Sequence, residues 1–172
     1  FYVAAGHAYW ETGDLALNRE HPPLGKLLVG LPLLFAPDVH SDPHALQRVG
    51  YPVWFLFQEN VDHLARNFFL ARLPVLLLTT LLGWVVYRKA RACFGRPGGL
   101  VALMAFAFNP NVLAQGSLAA LDGTLMAFFF FAVMAFVELL RAPSWQRTLS
   151  AAVLFGLANL TKQTALLLGP GF

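Results

Sequence analysis

Apolar residues run along this chain in long blocks rather than with a short period. Phe68 to Tyr87 is one such block, interrupted only by Arg72 one turn inside its start. An α-helix rises about 1.5 Å per residue, so about 20 apolar residues cross a hydrocarbon core, and this block has that length. Gly98 to Leu121 is uncharged but broken by Asn-Pro-Asn at 109–111. Pro110 removes a backbone donor and disfavours helix at the residue before it. The expectation is a helix to about Phe108, then an irregular or interfacial piece, VLAQGSLAAL, leading to Asp122. Gly123 to Leu140 is a third block, rich in phenylalanine and ending at Glu138 and Arg141. Thr148 to about Leu168 is a fourth, carrying Lys162.

The first 67 residues hold no block of spanning length. Leu27 to Pro37 is apolar but short, and Pro32 and Pro37 punctuate it, which fits an interfacial or re-entrant segment. YPVWFLF at 51–57 supplies aromatic side chains suited to a loop resting on headgroups. The expected fold class is all-α, a polytopic transmembrane helical bundle of about four spans. Residues 1–67 form an external loop with short interfacial helices, and 68–172 are the transmembrane helices.

Composition agrees with the blocks. Of 172 residues, 58% are hydrophobic and 12% charged, where soluble domains are about a quarter charged. Too few polar side chains exist to cover a water-facing surface. Arg88, Lys89, Arg91 and Arg96 cluster in one polar stretch, and Arg141 and Arg147 in another. This is the positive-inside pattern, not a nucleic-acid footprint. It orients Phe68 to the outside and Tyr87 to the inside, and both basic stretches agree with that scheme. Cys93 is a lone cysteine, which excludes a disulfide framework within the chain. The first residues do not read as a signal peptide. The chain opens at Phe1 without a methionine and ends inside an apolar run, so it is read as a fragment of a longer polytopic protein.

The external half collects the unusual polar residues: Glu11, Asp14, Glu20, His21 and Lys26 in the loop, then Arg72, Asp122 and Lys162 near the outer ends of spans. Ionisable groups at membrane depth cost several kcal/mol and persist where they face a cavity or each other. Snorkelling to the interface is the other reading of Arg72 and Lys162. In NREHPPLGKLL, residues 18–28, Pro22 and Pro23 fix φ and lack N–H groups, so 21–24 form a stiff extended turn. An imidazole and an ammonium on a stiff turn suit an anionic phosphate. A helix-leading turn with solvated charges is the alternative. His7, His40, His44 and His63 show no ligand spacing and read as surface residues.

With these residues in view, the stretch AGHAYWETGDLALNREHPPLGKLLVGLPLLF resembles the first external loop of the dolichyl-phosphate-mannose protein mannosyltransferase-like family, lipid-carrier-dependent glycosyltransferases of the C superfold. The likeness continues through ARLPVLLLTTLLGWVVYRKARACFG, NPNVLAQGSLAALD and GLANLTKQTALLL, in the family's order. It implies an enzyme that moves a sugar from a polyprenyl- or dolichyl-phosphate donor to a hydroxyl of a protein, glycolipid or glycan, usually with inversion. In the family an Asp-Glu pair, whose aspartate is the general base, lies just ahead of the stretch that opens this chain. The resemblance puts that pair before Phe1 and implies that the fragment alone is inactive.

Position by position, the resemblance assigns Glu20 and His21 to the donor phosphate or a divalent metal ion. Lys26 and Arg72 fall to the phosphate, Arg72 stabilising the leaving group. Asp122 takes a supporting catalytic role, orienting acceptor or metal, and Lys162 matches the TK of the later span. The expected protein is integral to a membrane and multi-pass, with its active face external, periplasmic or lumenal, membrane lipid around it and no nucleic-acid partner. From another class, a transporter or flippase, or a non-catalytic membrane subunit, would bind a lipid-phosphate headgroup with the same broken helices and buried charges.

Overall fold

Small residues near the start of the chain set its first packing. The helix α1, Tyr2–Thr12, carries Ala4, Ala5, Gly6 and Ala8 on its buried side, and α2, Leu24–Gly30, lies across it. The computed structural model describes residues 1–15, 18–40 and 50–171, and contains no strand among them. A Cβ on Gly6 would overlap the Lys26 carbonyl, and one on Gly30 would overlap the backbone of Gly6 and His7. The two helices therefore touch backbone to backbone. A 3-10 turn, Leu31–Phe35, continues α2.

Tyr51–Trp54 forms a short helix, α3, followed by a π-turn at Phe55–Glu59. The sequence pattern put these aromatics on headgroups. Instead Tyr51 and Phe55 are 1% and 0% exposed and enter a core with Val3, Ala8, Val29 and Leu33. Each gains about 2 kcal/mol from that burial, and only Val53 and Phe57 on the opposite side remain exposed. His7 also lies in this core, 1% exposed, its ring 5.5 Å from that of Phe55. It is not the surface residue its spacing suggested. His44 lies outside the described residues.

The longest element, α4, runs Leu64–Ala107 and is interrupted at Gly95, where φ is 72° and ψ −176°. That backbone region is open essentially to glycine alone. The chain reverses there and the second leg returns along the first: a Cβ on Gly83 would stand 3.1 Å from the Phe106 ring, and one on Gly99 3.0 Å from the Tyr87 ring. This is the hairpin implied by the first two apolar blocks, although its first leg begins at Leu64 rather than Phe68. Ala71 and Val75 on that leg complete the core built by α1–α3.

Beyond α4 the sequence suggested an irregular or interfacial piece. The structure has a short helix there, α5, Pro110–Gly116. Asn109 caps it, its Oδ1 accepting from the Asn111 N–H at 2.9 Å and more weakly from that of Val112. Pro110 takes the first helical position, where a missing donor costs nothing. Thus the proline that ends one helix begins the next.

The helices α6, Leu121–Arg141, and α7, Trp145–Thr161, form an antiparallel pair, with alanines 127, 132, 151 and 158 buried. The fourth apolar block was expected to stay helical to about Leu168 with Lys162 inside it. It stops at Thr161, and a 3-10 segment, Gln163–Gly171, follows. Two helical segments, Val61–Ala107 and Leu121–Arg141, are long and apolar enough to cross a membrane; α7, with 17 residues, falls short of that length.

Gly30→Ala should lower stability by about 3 kcal/mol, because backbone cannot yield to the added methyl. Gly156→Ala, in the interior of α7 with open space around it, should raise it by about 0.5 to 1 kcal/mol. Thermal melts of the two detergent-solubilised variants check the opposite signs.

Candidate functional site

Three chain segments widely separated in sequence meet beside Gly25. A Cβ at that glycine would stand 2.5 Å from Leu121 Cδ2 and 3.4 Å from Thr161 Cγ2. Immediately before Gly25 lies the His21-Pro22-Pro23 turn, Leu121 precedes Asp122, and Thr161 precedes Lys162. A Cβ on Gly123 would meet Val75 Cγ1 at 2.6 Å, which brings α4 against the same end of α6 one turn after Arg72. The double-proline turn and the neighbours of Arg72, Asp122 and Lys162 thus gather at one end of the helices.

Asp122 and Lys162 are joined directly, Nζ donating to Oδ1 at 2.6 Å. Asp122 sits in the first turn of α6 and Lys162 caps the end of α7. A carboxylate is favoured at the positive pole of a helix and an ammonium at the negative pole. Each charge therefore suits its own helix as well as its partner. The pair is half open to solvent, with Asp122 49% and Lys162 26% exposed.

Lys26 does something other than await a phosphate. Its side chain is fully buried. Nζ lies 2.6 Å from the His21 carbonyl, 3.2 Å from both Asn18 Oδ1 and the Tyr9 hydroxyl, and also contacts the Asn18 carbonyl. Four oxygens surround a group with three protons, so no donor is left over. Burial lowers its pKa from the usual value while the Glu20 carboxylate opposes that shift. The ammonium ties the stretch leading to the Pro22–Pro23 turn onto α1, and so holds His21 where it is. Tyr9 and Asn18, which complete this brace, carried no sequence signal, because no spacing links residues 9, 18 and 26.

Glu20 is exposed, and His21 is half-buried with its ring 6.1 Å from that of Tyr2. Arg72 is exposed and forms no ion pair among the described residues. It lies two residues before Pro74, which lacks the N–H that would bond the Leu70 carbonyl. An unpaired guanidinium at this level is available to an anion.

A second polar cluster escaped the sequence analysis. The Asp38 carboxylate accepts from Arg66 Nη1 at 2.8 Å and lies 2.7 Å from His63 Nε2. The Arg66 hydrogen bond holds Asp38 below the ordinary carboxylate range. These groups clip the segment after α2 to the start of α4. Among the described residues no group of three or more His, Cys, Asp or Glu could hold a metal ion.

The model of the family described as dolichyl-phosphate-mannose-protein mannosyltransferase matches residues 51–172. That range contains Arg72, Asp122 and Lys162 but not Glu20, His21 or Lys26. No curated protein and no solved structure matches the chain.

Lys26→Met should cost about 3 kcal/mol, because it leaves the buried carbonyls of Asn18 and His21 without a partner. It should also open the chain to trypsin at Arg19; an unchanged melt with unchanged proteolysis would remove the brace. His7 is held below its ordinary pKa of 6.5 first by burial, with Glu11 opposing and His40 adding to the shift. The unfolded chain then binds more protons just below pH 6.5, so stability falls as pH drops through that value and its contribution is complete above pH 7. Melting temperature against pH should show this slope, and His7→Phe should flatten it.

Proposed function

The chain belongs to the dolichyl-phosphate-mannose-protein mannosyltransferase family, membrane glycosyltransferases, and we propose that the end of the helices holding Arg72, Asp122, Lys162 and the Pro22–Pro23 turn receives a lipid-phosphate sugar and an acceptor hydroxyl. In this reading residues 1–67 cap the external or lumenal side. The first leg of α4 and α6 cross the membrane beneath it, and the shorter second leg of α4 and α7 pack alongside them. The observation that carries the reading is the meeting of α2, α6 and α7 at Gly25, Leu121 and Thr161, inside a chain of this family.

The chemistry follows from the charges. The acceptor oxygen attacks the anomeric carbon as the bond from that carbon to the phosphate oxygen breaks, and the electron pair departs with the phosphate. The hydroxyl proton passes to a base, which the resemblance puts ahead of Phe1. The lipid phosphate gains one negative charge, and Arg72, a fixed cation with no acid partner among the described residues, stabilises it. His21, kept in place by the Lys26 brace, supplies a second donor to the phosphate, with Glu20 beside it. Asp122 orients the acceptor hydroxyl, and Lys162 fixes the Asp122 carboxylate. A polyprenyl- or dolichyl-phosphate-linked sugar such as mannose is the donor, and a hydroxyl on protein, glycolipid or glycan the acceptor.

Arg72→Ala in the intact protein in its membrane should lower sugar transfer about a hundredfold or more, with the melting temperature unchanged because Arg72 is exposed, and Arg72→Lys should recover part of the rate. Transfer from a polyprenyl-phosphate sugar measures both. A wild-type rate in Arg72→Ala would remove Arg72 from the site.

A further inference from the structure

The opposite end of the helices carries charge that the proposed reaction does not use. Arg88, Lys89, Arg91 and Arg96 flank the Gly95 reversal, while Arg141 ends α6 and Arg147 opens α7. The Lys89–Glu138 ion pair joins α4 to α6 there and shows that both basic stretches lie at one end. Half of the chain's twelve lysines and arginines are thus together, and among the described acids only Glu138 accompanies them. Arg147 donates to the Ala142 carbonyl and stiffens the connection between α6 and α7.

Within this patch Arg88 and Arg91, three residues apart on one helix face, line an open cleft of about 370 Å³ together with Ala92. The Arg88 guanidinium lies 5.3 Å from the Trp84 ring, which limits its freedom. Phe94 and Trp145 stand 77% and 75% exposed on the same end. The sides of the helices that lead to it are apolar and exposed, through Leu77, Leu81, Val101 and Leu140. An anion meeting this cleft is therefore presented at the edge of an apolar layer, where aromatic rings also favour residence.

We propose that the Arg88–Arg91 cleft binds the phosphate of an anionic phospholipid, with Phe94 and Trp145 seated among the surrounding headgroups. Two guanidinium forks reach one phosphate from either side. Arg96 and Arg141, which have no acid partner among the described residues, draw further anionic lipid to that leaflet. The surface lies at the far end from the glycosyl-transfer site and does not depend on it.

Native mass spectrometry of the detergent-solubilised chain tests this, with phosphatidylglycerol and phosphatidylcholine of equal acyl length as probes. Phosphatidylglycerol should be retained in preference. Arg88→Gln with Arg91→Gln should weaken that retention about thirtyfold, while Arg19→Gln should leave it unchanged. Added salt should weaken retention by the wild-type chain, which holds the proposal open to refutation should the double variant misfold. Equal retention of the two lipids, indifference to salt, or wild-type binding by a folded double variant overturns it. Full displacement by inorganic phosphate also overturns it, since the cleft would then be a site for soluble anions.

Discussion

One buried ammonium, wedged where two helices cross at glycine, organises the candidate site. Gly6 and Gly30 let α1 and α2 approach until their backbones meet, and Lys26 emerges beside that crossing with nowhere to place its charge except among oxygens supplied by Tyr9, Asn18 and His21. A buried cation without such partners would cost several kcal/mol. The stretch from Asn18 to His21 must therefore keep its conformation for the charge to remain satisfied. Satisfaction of one group thereby fixes the double-proline turn, and through Gly25 the turn's position against α6 and α7.

The same logic governs the Asp122–Lys162 pair. Alone, either charge near the ends of apolar helices would be a liability. Together, at opposite poles of an antiparallel pair, each neutralises a dipole as well as a partner. The candidate site is thus assembled from charges that the fold already requires for stability, and Arg72, with no acid partner among the described residues, keeps spare capacity. In the proposed reading the charge that appears during glycosyl transfer is a phosphate's, and Arg72 is placed to meet it.

Much of the helical pattern could be read from apolar blocks, since block length, the basic stretch from Arg88 to Arg96 and the breaker at Asn109 to Asn111 act locally. The family resemblance was legible too, from the ARLP, LAALD and TK elements within the matched range. What sequence misjudged were residues whose environment is set at a distance. Tyr51 and Phe55 look like interfacial aromatics until Val3 and Val29 are brought over them. His7 looks like a surface residue until α1 is buried, and Lys26 like a phosphate ligand until Asn18 is folded onto it. Pro110 was read as an interruption, although the capping asparagine before it was in plain sight. The convergence of Asp122 with Lys162 needed the α6–α7 pairing, which no spacing of 40 residues announces.

The reversal at Gly95 has a geometric corollary. With a single residue making the turn, the angular phase of the returning leg is set by the outgoing one. A residue inserted on the helical side of Gly95 would swing everything beyond it by about 100°, carrying Leu103 and Phe106 away from Gly83. Length variation between Leu64 and Ala107 is therefore penalised at every position, whereas residues 142–144, a short non-helical connection, offer slack where the chain can absorb it.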